Sequence, residues 1–266
     1  MTPQEVTEAA EALYQADLTG VQTGLLSLRY PGMTMADAYA VQAALVDRKT
    51  QAGRHQIGWK IGLTSRAMQD ALKIDTPDSG VLLDDMLFET GGTVPKDRFI
   101  QPRVEAEIAF VMKSPLAGAN CSRDDVIAAT DYVAPSLEIL DTRILRVDPT
   151  SGQARIITDT ISDNAANAGI VLGVDRHGFD AFDLRWVGAI VSRNGTVEET
   201  GLGAGVLNDP VTSVLWLARR MAEYGQSIRA GDIVLSGSFI RPIEAPSDTA
   251  ITADFGPFGS VHINFA

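Results

Sequence analysis

Val104-Glu-Ala-Glu-Ile-Ala-Phe-Val111 is where the residue types of this chain most directly suggest chemistry. Its composition predicts a strand. Side chains alternate along a strand, so Glu105 and Glu107 share one face, while Val104, Ala106, Ile108 and Phe110 take the other. Ala109 and Val111 continue the carboxylate face with apolar groups, so both faces read as at least partly buried. Two carboxylates crowded on such a face repel each other and lose hydration. Either one takes up a proton or a cation sits between them. Taken alone, a solvated Glu-x-Glu edge is the commoner arrangement. A second segment tips the balance. Asp131-Tyr-Val-Ala-Pro-Ser-Leu-Glu-Ile-Leu-Asp141 is another apolar strand pattern, and Glu138 interrupts it. A glutamate is seldom buried in such a run without a partner. Three carboxylates from two strands make an oxygen-only cage. Hard cations such as Mg²⁺ or Mn²⁺ suit it, with water or substrate completing the octahedron.

Lys60 is the third feature. It stands between Gly58 and Gly62 on one face of the alternating segment His55–Leu63, whose other face carries Ile57, Trp59, Ile61 and Leu63. The glycines predict open space for a ligand beside the amine. A lysine next to a divalent cation has its pKa depressed, which suits proton transfer. A lysine whose stem packs on the sheet while its head reaches water is an equally good reading. Asp78, in Thr76-Pro-Asp-Ser-Gly80, reads as a turn residue, and Asp84-Asp85 as either a metal outer shell or a loop acid pair. Thr160-Ile-Ser-Asp-Asn-Ala-Ala-Asn167 places Ser162 and Asn164 at a helix start, suited to capping or to holding a carboxylate. Ser238 lies in the glycine-containing end of a strand, Ser236-Gly-Ser-Phe-Ile-Arg-Pro242, which lines a site or simply turns. His55, His177 and His262 are scattered without zinc spacing and read as structural or exposed.

The elements that must position these residues are legible in outline. Thr2-Pro-Gln-Glu5 is a capping box with proline at the first helical position, opening a helix to about Gly20. A second helix starts at Thr34, with Asp37 in the box position, and runs toward Gly53. Residues 1–53 thus form a helical lead-in, and 54–266 carry the catalytic β domain, the whole reading as one compact unit. Ser65 caps a short helix through Leu72. Strand patterns recur at 104–112, 133–140, 168–174, 184–193, 231–240, 249–255 and 260–265. Helix candidates lie at 122–131, 160–167 and 210–224. Asn194-Gly195 is a hairpin turn signal. Many strands and few helices, without regular βαβ alternation, predict an α+β fold. Its core is a mixed, mostly antiparallel β-roll or sandwich with peripheral helices.

Composition narrows the function classes. Lys and Arg number 22 against 34 Asp and Glu, a formal charge of −12. Such a chain repels nucleic acid and anionic lipid, so neither is an expected partner. The lone thiol, Cys121, makes no intramolecular disulfide and fits a reducing compartment. The acidic, amphipathic N-terminal segment does not resemble a signal peptide, and no apolar stretch reaches the length of a membrane span, so a cytoplasmic protein is expected.

Four segments together carry a likeness to a known family. Lys60-Ile-Gly-Leu-Thr-Ser65, Pro102-Arg-Val-Glu-Ala-Glu107, Asp131–Glu138 and Ser162-Asp-Asn-Ala-Ala-Asn-Ala-Gly169 resemble the hydratase/decarboxylase branch of the fumarylacetoacetate hydrolase superfamily. The likeness runs from about Tyr30 to the C-terminus, and the order and spacing of the motifs make it specific. It implies a mixed β-roll. Glu105, Glu107 and Glu138 are implied as metal ligands, and Lys60 and Asp78 as catalytic polar groups near the substrate. It implies hydration of a 2-hydroxy-dienoate or its 2-oxo-enoate tautomer, in a homo-oligomer that can reach a decamer and can associate with other pathway enzymes. Leu140-Asp-Thr-Arg143, the stretch from Asp148-Pro149 to Asn164, and Gly237–Pro242 look most like the branch members that hydrate a seven-carbon dioate in homoprotocatechuate breakdown. For a dioate, Arg143, Arg146, Arg155 and Arg241 are candidate partners of the far carboxylate. Hydration of 2-oxopent-4-enoate, decarboxylation of 4-oxalocrotonate, hydrolysis of an acylpyruvate and a non-catalytic partner role stay open as alternatives.

Overall fold

In the computed structural model, residues 1–266 are described except 67, 68, 71–73 and 75. The expected helix from Ser65 to Leu72 therefore falls partly outside the described residues. The two opening helices form as their caps require. Helix α1 (Pro3–Thr19) has the Thr2–Glu5 box closed in both directions and ends on Gly20 at φ 69°, a left-handed stop. Helix α3 (Met35–Gln51) repeats the device with Thr34 and Asp37. Between them lies one short turn, α2 (Leu26–Arg29). Leu13, Leu26, Val41 and Leu45 are buried against Ile144 in a small core of their own. Two polar ties reach the rest of the chain: Asp159 accepts from Ser27, and Gln42 donates to the carbonyls of Ser79 and Ile161.

The β domain contains two sheets. The larger includes β1 (Gln56–Gly62), β2 (Asp78–Leu83), β3 (Leu87–Glu89), β5 (Arg103–Met112), β6 (Thr130–Leu140), β7 (Asn167–Leu172), β10 (Ile233–Leu235) and β11 (Ile243–Glu244). Its order is β2-β1-β10-β5-β6-β7-β3, with β11 also paired to β5. The smaller contains β4 (Thr93–Val94), β8 (Gly188–Arg193), β9 (Thr196–Leu202), β12 (Thr249–Asp254) and β13 (Ser260–Phe265), ordered β4-β13-β12-β8-β9. Most pairs are antiparallel. The exceptions are β1 with β10, β3 with β7 and β4 with β13. Among the described residues, helices α4 (Arg123–Ala129), α5 (Ile157–Ser162) and α6 (Pro210–Glu223) lie around the sheets. This is the mixed α+β architecture expected, and the Asn194-Gly195 turn joins β8 to β9 with both residues at positive φ.

The principal core lies between the sheets. Val104, Ala106, Ile108 and Phe110 of β5 point into it, together with Leu137 and Ile139 of β6 and Val191, Ile251 and Ile263 of the smaller sheet. The opposite face of the large sheet curls on itself, because Leu82 of β2 and Ile170 of β7 share a cluster with Ala109 and Leu235. Curling is what lets residues from distant strands meet.

Several boundaries differ from the sequence reading. The 184–193 pattern is a strand only from Gly188, since Leu184–Trp186 form a 3₁₀ turn. The 231–240 pattern pairs only over Ile233–Leu235, then runs irregularly past Gly237. The helix expected at 160–167 lies earlier, at Ile157–Ser162, and a 3₁₀ turn follows with Asn164, Ala165 and Ala166 all at positive φ. The largest correction concerns Asp78. It opens a strand whose six residues are all buried, and is not in a turn. Pairing with β1 overrides the weak strand propensity of Asp-Ser-Gly.

Candidate metal centre

Register brings the acidic residues together. In the β5–β6 ladder Glu105 lies opposite Glu138, and Glu107 lies opposite Ser136. All three carboxylates project from the curled face, where one oxygen of each lies within 4.8 Å of the others. Glu107 and Glu138 have no solvent exposure, and Glu105 is half-buried. Two neighbours fix two of the oxygens: the Gly237 N–H donates to Glu107 Oε2 at 2.6 Å, and Asn167 Nδ2 donates to Glu138 Oε1 at 2.8 Å. Among the described residues, Glu107 Oε1 and Glu138 Oε2 are buried without a hydrogen-bond partner. Buried carboxylate oxygens left unpaired cost several kcal/mol or bind something. Burial pushes Glu105 up to about 8, helped by the charge of Glu138. Burial raises Glu107 well above the usual carboxylate range too, with Glu138 and then Glu105 adding to it. The donor set, all carboxylate oxygen with two unclaimed lone-pair positions, fits a hard divalent cation.

Lys60 reaches this cluster from β1. Its ammonium sits 3.2 Å from Glu138 Oε1 and is buried. Burial disfavours its charge, but Glu138, Asp78, Glu105 and Glu107 together outweigh that and raise its pKa above the ordinary lysine range. The glycines beside Lys60 serve otherwise than expected. A methyl on Gly62 would collide with Asp78 Oδ1 and approach Lys60 Nζ to 3.1 Å. One on Gly58 would strike the Ile233 backbone. One on Gly80, opposite Lys60 in β2, would strike Asn164. The space is taken by the protein itself, and Gly62 lets the Asp78 carboxyl and the Lys60 amine share one small volume. Burial raises the Asp78 pKa against the opposing charge of Lys60, and its Oδ1 has no hydrogen-bond partner.

The remaining sequence candidates divide. Ser238 lines a cavity of about 320 Å³ together with Glu105, Thr64 and Arg241, although its hydroxyl is engaged with both the carbonyl and the N–H of Ile240. Ser162 is the last residue of α5, not a helix start, and its hydroxyl donates to the Thr158 carbonyl. Asn164 spends its amide on both backbone groups of Val81, which ties it to β2. Asp84 holds the His55 N–H and ring, while Asp85 faces Arg54 and Arg98. His177 is packed edge-on to Phe182, and His262 contacts Thr90. Arg143 is buried and bonded to Asp163, Arg146 holds Glu244, and Arg155 holds Thr142. Of the four arginines, Arg241 alone lines the Glu105 cavity. Sequence reasoning passed over Asn167 and Gly237, which grip the two glutamates. The available signals were an asparagine closing the Ser162–Asn167 motif and a glycine directly after an apolar strand.

No family model matches the chain. It is 49% identical over 259 residues to a 2-oxo-hept-4-ene-1,7-dioate hydratase from Escherichia coli, covering 97% of each chain. Its structure superposes with a TM-score of 0.93 on a 4-oxalocrotonate decarboxylase from Pseudomonas putida G7 complexed with magnesium and adipate. The two are 35% identical, with 100% of this chain and 99% of that one covered. A fumarylacetoacetate hydrolase from Exiguobacterium antarcticum, 13% identical, shares the fold at a TM-score of 0.58 over 79% of this chain and 74% of its own.

Proposed function

The chain belongs to the hydratase/decarboxylase branch of the fumarylacetoacetate hydrolase superfamily, and from that premise we propose that it hydrates 2-hydroxyhepta-2,4-dienedioate, through its 2-oxo-enoate tautomer, to 4-hydroxy-2-oxoheptanedioate. The observation that carries the chemistry is the triad of Glu105, Glu107 and Glu138 with two buried oxygens unclaimed. The hydratase relative at 49% identity supports the seven-carbon substrate.

Glu105, Glu107 and Glu138 would hold Mg²⁺ or Mn²⁺. Such a cation supplies Lewis acidity, stabilising negative charge on the 2-oxygen of the substrate. The chain's own groups do the rest. Gly237 and Asn167 keep the carboxylates aimed. Lys60 and Asp78, both buried and brought together beside Gly62, are the groups placed to carry protons. Between them they carry two protons: one from the 2-hydroxyl to C5 of the dienol, giving the conjugated 2-oxo acid, and one from the water that adds at C4 to C3. General acid–base help of this kind is worth about 10²–10⁴-fold. The apolar wall of Leu82, Ala109, Ile170 and Leu235 excludes bulk water from one side of the face.

Assembly as a homo-oligomer is part of the reading. Its support is an apolar groove beside β8 and β9 in which Trp186, Ile190 and Leu202 are exposed. Among the described residues no helix is long and apolar enough to cross a membrane. A cytoplasmic setting is also part of the reading, supported by the lone cysteine.

The test follows dienoate absorbance for the seven-carbon diacid, the five-carbon monoacid and 4-oxalocrotonate, with and without Mg²⁺, while measuring CO₂. Mg²⁺-dependent loss of diacid absorbance without CO₂ supports hydration. Release of CO₂ from 4-oxalocrotonate would assign the sister decarboxylation, which the structural likeness favours as second reading. Lys60→Met is expected to lower turnover about 10²–10⁴-fold while Mg²⁺ still binds. Wild-type rates in that variant would remove Lys60 as proton carrier.

A further inference from the structure

The cavity over Glu105 has a charged far side, and its chemistry bears on which substrate the site accepts. The segment after β10 runs along β5. The Phe239 N–H points to the Ala106 carbonyl at 3.4 Å, and Ile243 lies opposite Val104 in register. Arg241 falls between these two points, at the level of Glu105. Strand β9 is pressed against the same segment. A methyl on Gly201 would strike the Phe239 carbonyl, so the glycine permits that approach. Close apposition brings Glu199 of β9 to Arg241, with 2.6 Å between Nη2 and Oε1. Both residues line the cavity with Glu105, Thr64, Ser238 and Ile240.

The charge balance there is unusual for a site that takes a dianion. The charged groups lining the cavity among the described residues are Glu105, Glu199 and Arg241. Two carboxylates oppose one guanidinium. At the triad end, a divalent cation held by Glu105, Glu107 and Glu138 would supply the counter-charge for the substrate's 2-oxo acid head. At the other end the cation lining the cavity among the described residues is Arg241, whose side chain is 82% exposed while Glu199 is 19% exposed. Arg143, Arg146 and Arg155 are committed to partners elsewhere.

We propose that Arg241 is the specificity-determining anchor for the far carboxylate of a dicarboxylate substrate, and that Glu199 holds its guanidinium over the cavity until that carboxylate arrives. This inference rests on the dioate-hydratase reading. A guanidinium presents several donors in a planar fork, so it grips an incoming carboxylate while keeping one bond to Glu199. A monocarboxylate of five carbons lacks the far group and gains nothing from Arg241.

The experiment compares kcat and KM on the seven-carbon diacid and the five-carbon monoacid, both with saturating Mg²⁺, for the wild type, Arg241→Gln and Arg241→Lys. Circular dichroism and thermal unfolding check that each variant is folded. Arg241→Gln is expected to lose about 10–100-fold in kcat/KM on the diacid, mainly through KM, because a charge-assisted grip is lost at a partly exposed position. Its kinetics on the monoacid should stay within about twofold of wild type. Arg241→Lys should recover part of the diacid loss, since it restores the charge but not the fork. Unchanged diacid KM in Arg241→Gln overturns the inference. An equal loss on both substrates also overturns it, by assigning Arg241 a structural role. A wild type that hydrates the monoacid alone, or neither substrate, removes the underlying reading first, and the wild-type control identifies that failure separately.

Discussion

Arg143 and Asp163 are as deeply buried as Lys60 and Glu138, yet the two groups of charge are completed differently. The carboxylates of Asp163, Asp141 and Asp159 each have donors on both oxygens. Asp163 takes the Arg143 backbone N–H and its guanidinium, and the Asp163 and Asn167 carbonyls take Nη2. Asp141 accepts from the backbones of Ile100 and Gln101. Asp159 accepts from Ser27 and Ile156. Around Lys60 the accounts stay open: Asp78, Glu107 and Glu138 each keep one buried oxygen without a donor. A closed network of buried charge holds strands and turns in place. An open one stores electrostatic energy that only a ligand or a proton releases. The two are joined, since Arg143 holds the Asn167 carbonyl while the Asn167 side chain steadies Glu138.

Glu107→Gln tests the open side and should show the largest effect. Its amide oxygen still accepts from Gly237, so the fold is expected to persist with an unchanged or higher unfolding temperature in metal-free buffer. Mg²⁺-dependent turnover should vanish in the dienoate assay. Full activity in that variant would remove the cage from the mechanism.

The closed side is tested by Arg143→Met. It leaves Asp163 charged, buried and deprived of its guanidinium, and should cost about 3–5 kcal/mol in chemical denaturation. A loss below about 1 kcal/mol would mean that the two networks do not differ as described.

A smaller effect sharpens the contrast through pH. Burial raises Glu105 to about 8 and Glu107 well above its usual range, so in metal-free protein the native state binds more protons than the unfolded chain between the ordinary glutamate range and about pH 8. Stability contributed by those protons is fully present below the unfolded pKa and falls as pH rises through that window. The unfolding temperature of metal-free protein should therefore drop from pH 5 to pH 8. Mg²⁺ at about 100 times its pH 8 Kd should restore about 2.7 kcal/mol at pH 8, and the same concentration should restore less at pH 6, because protons compete for the same oxygens. A flat profile without metal would place these carboxylates in contact with water.

Glu105, Glu107 and Glu138 were legible because strand periodicity is local: two acids at spacing two, and one acid inside an apolar run, announce a buried polar face. Lys60 was legible for the same reason. The strand starting at Asp78 was not, because Pro77, Ser79 and Gly80 are turn residues by propensity. Pairing with β1 and the Asn164 clamp on Val81 come from far along the chain. Asn164 and Ser162 looked like ligands because side chains that bond the backbone use the same residue types as side chains that bind substrates. The Arg143 network escaped notice because its members are spread from Ser27 to Asn167, with nothing local to join them.

The ladder between β5 and β6 sets Glu105 squarely against Glu138, the pairing that two glutamates disfavour. A slip by one residue would expose Val104, Ile108 and Phe110, so the core forbids it. A slip by two would keep every apolar group inside and seat Glu138 against Glu107. In that register Glu105 would lie diagonal to Glu138, so the three acids would stay neighbours and charge patterning cannot choose between the two alignments. The choice falls to the flanks, where β7 is paired to β6 and β10 to β5, and their side chains meet in one apolar cluster that a shift of the ribbon would pull apart.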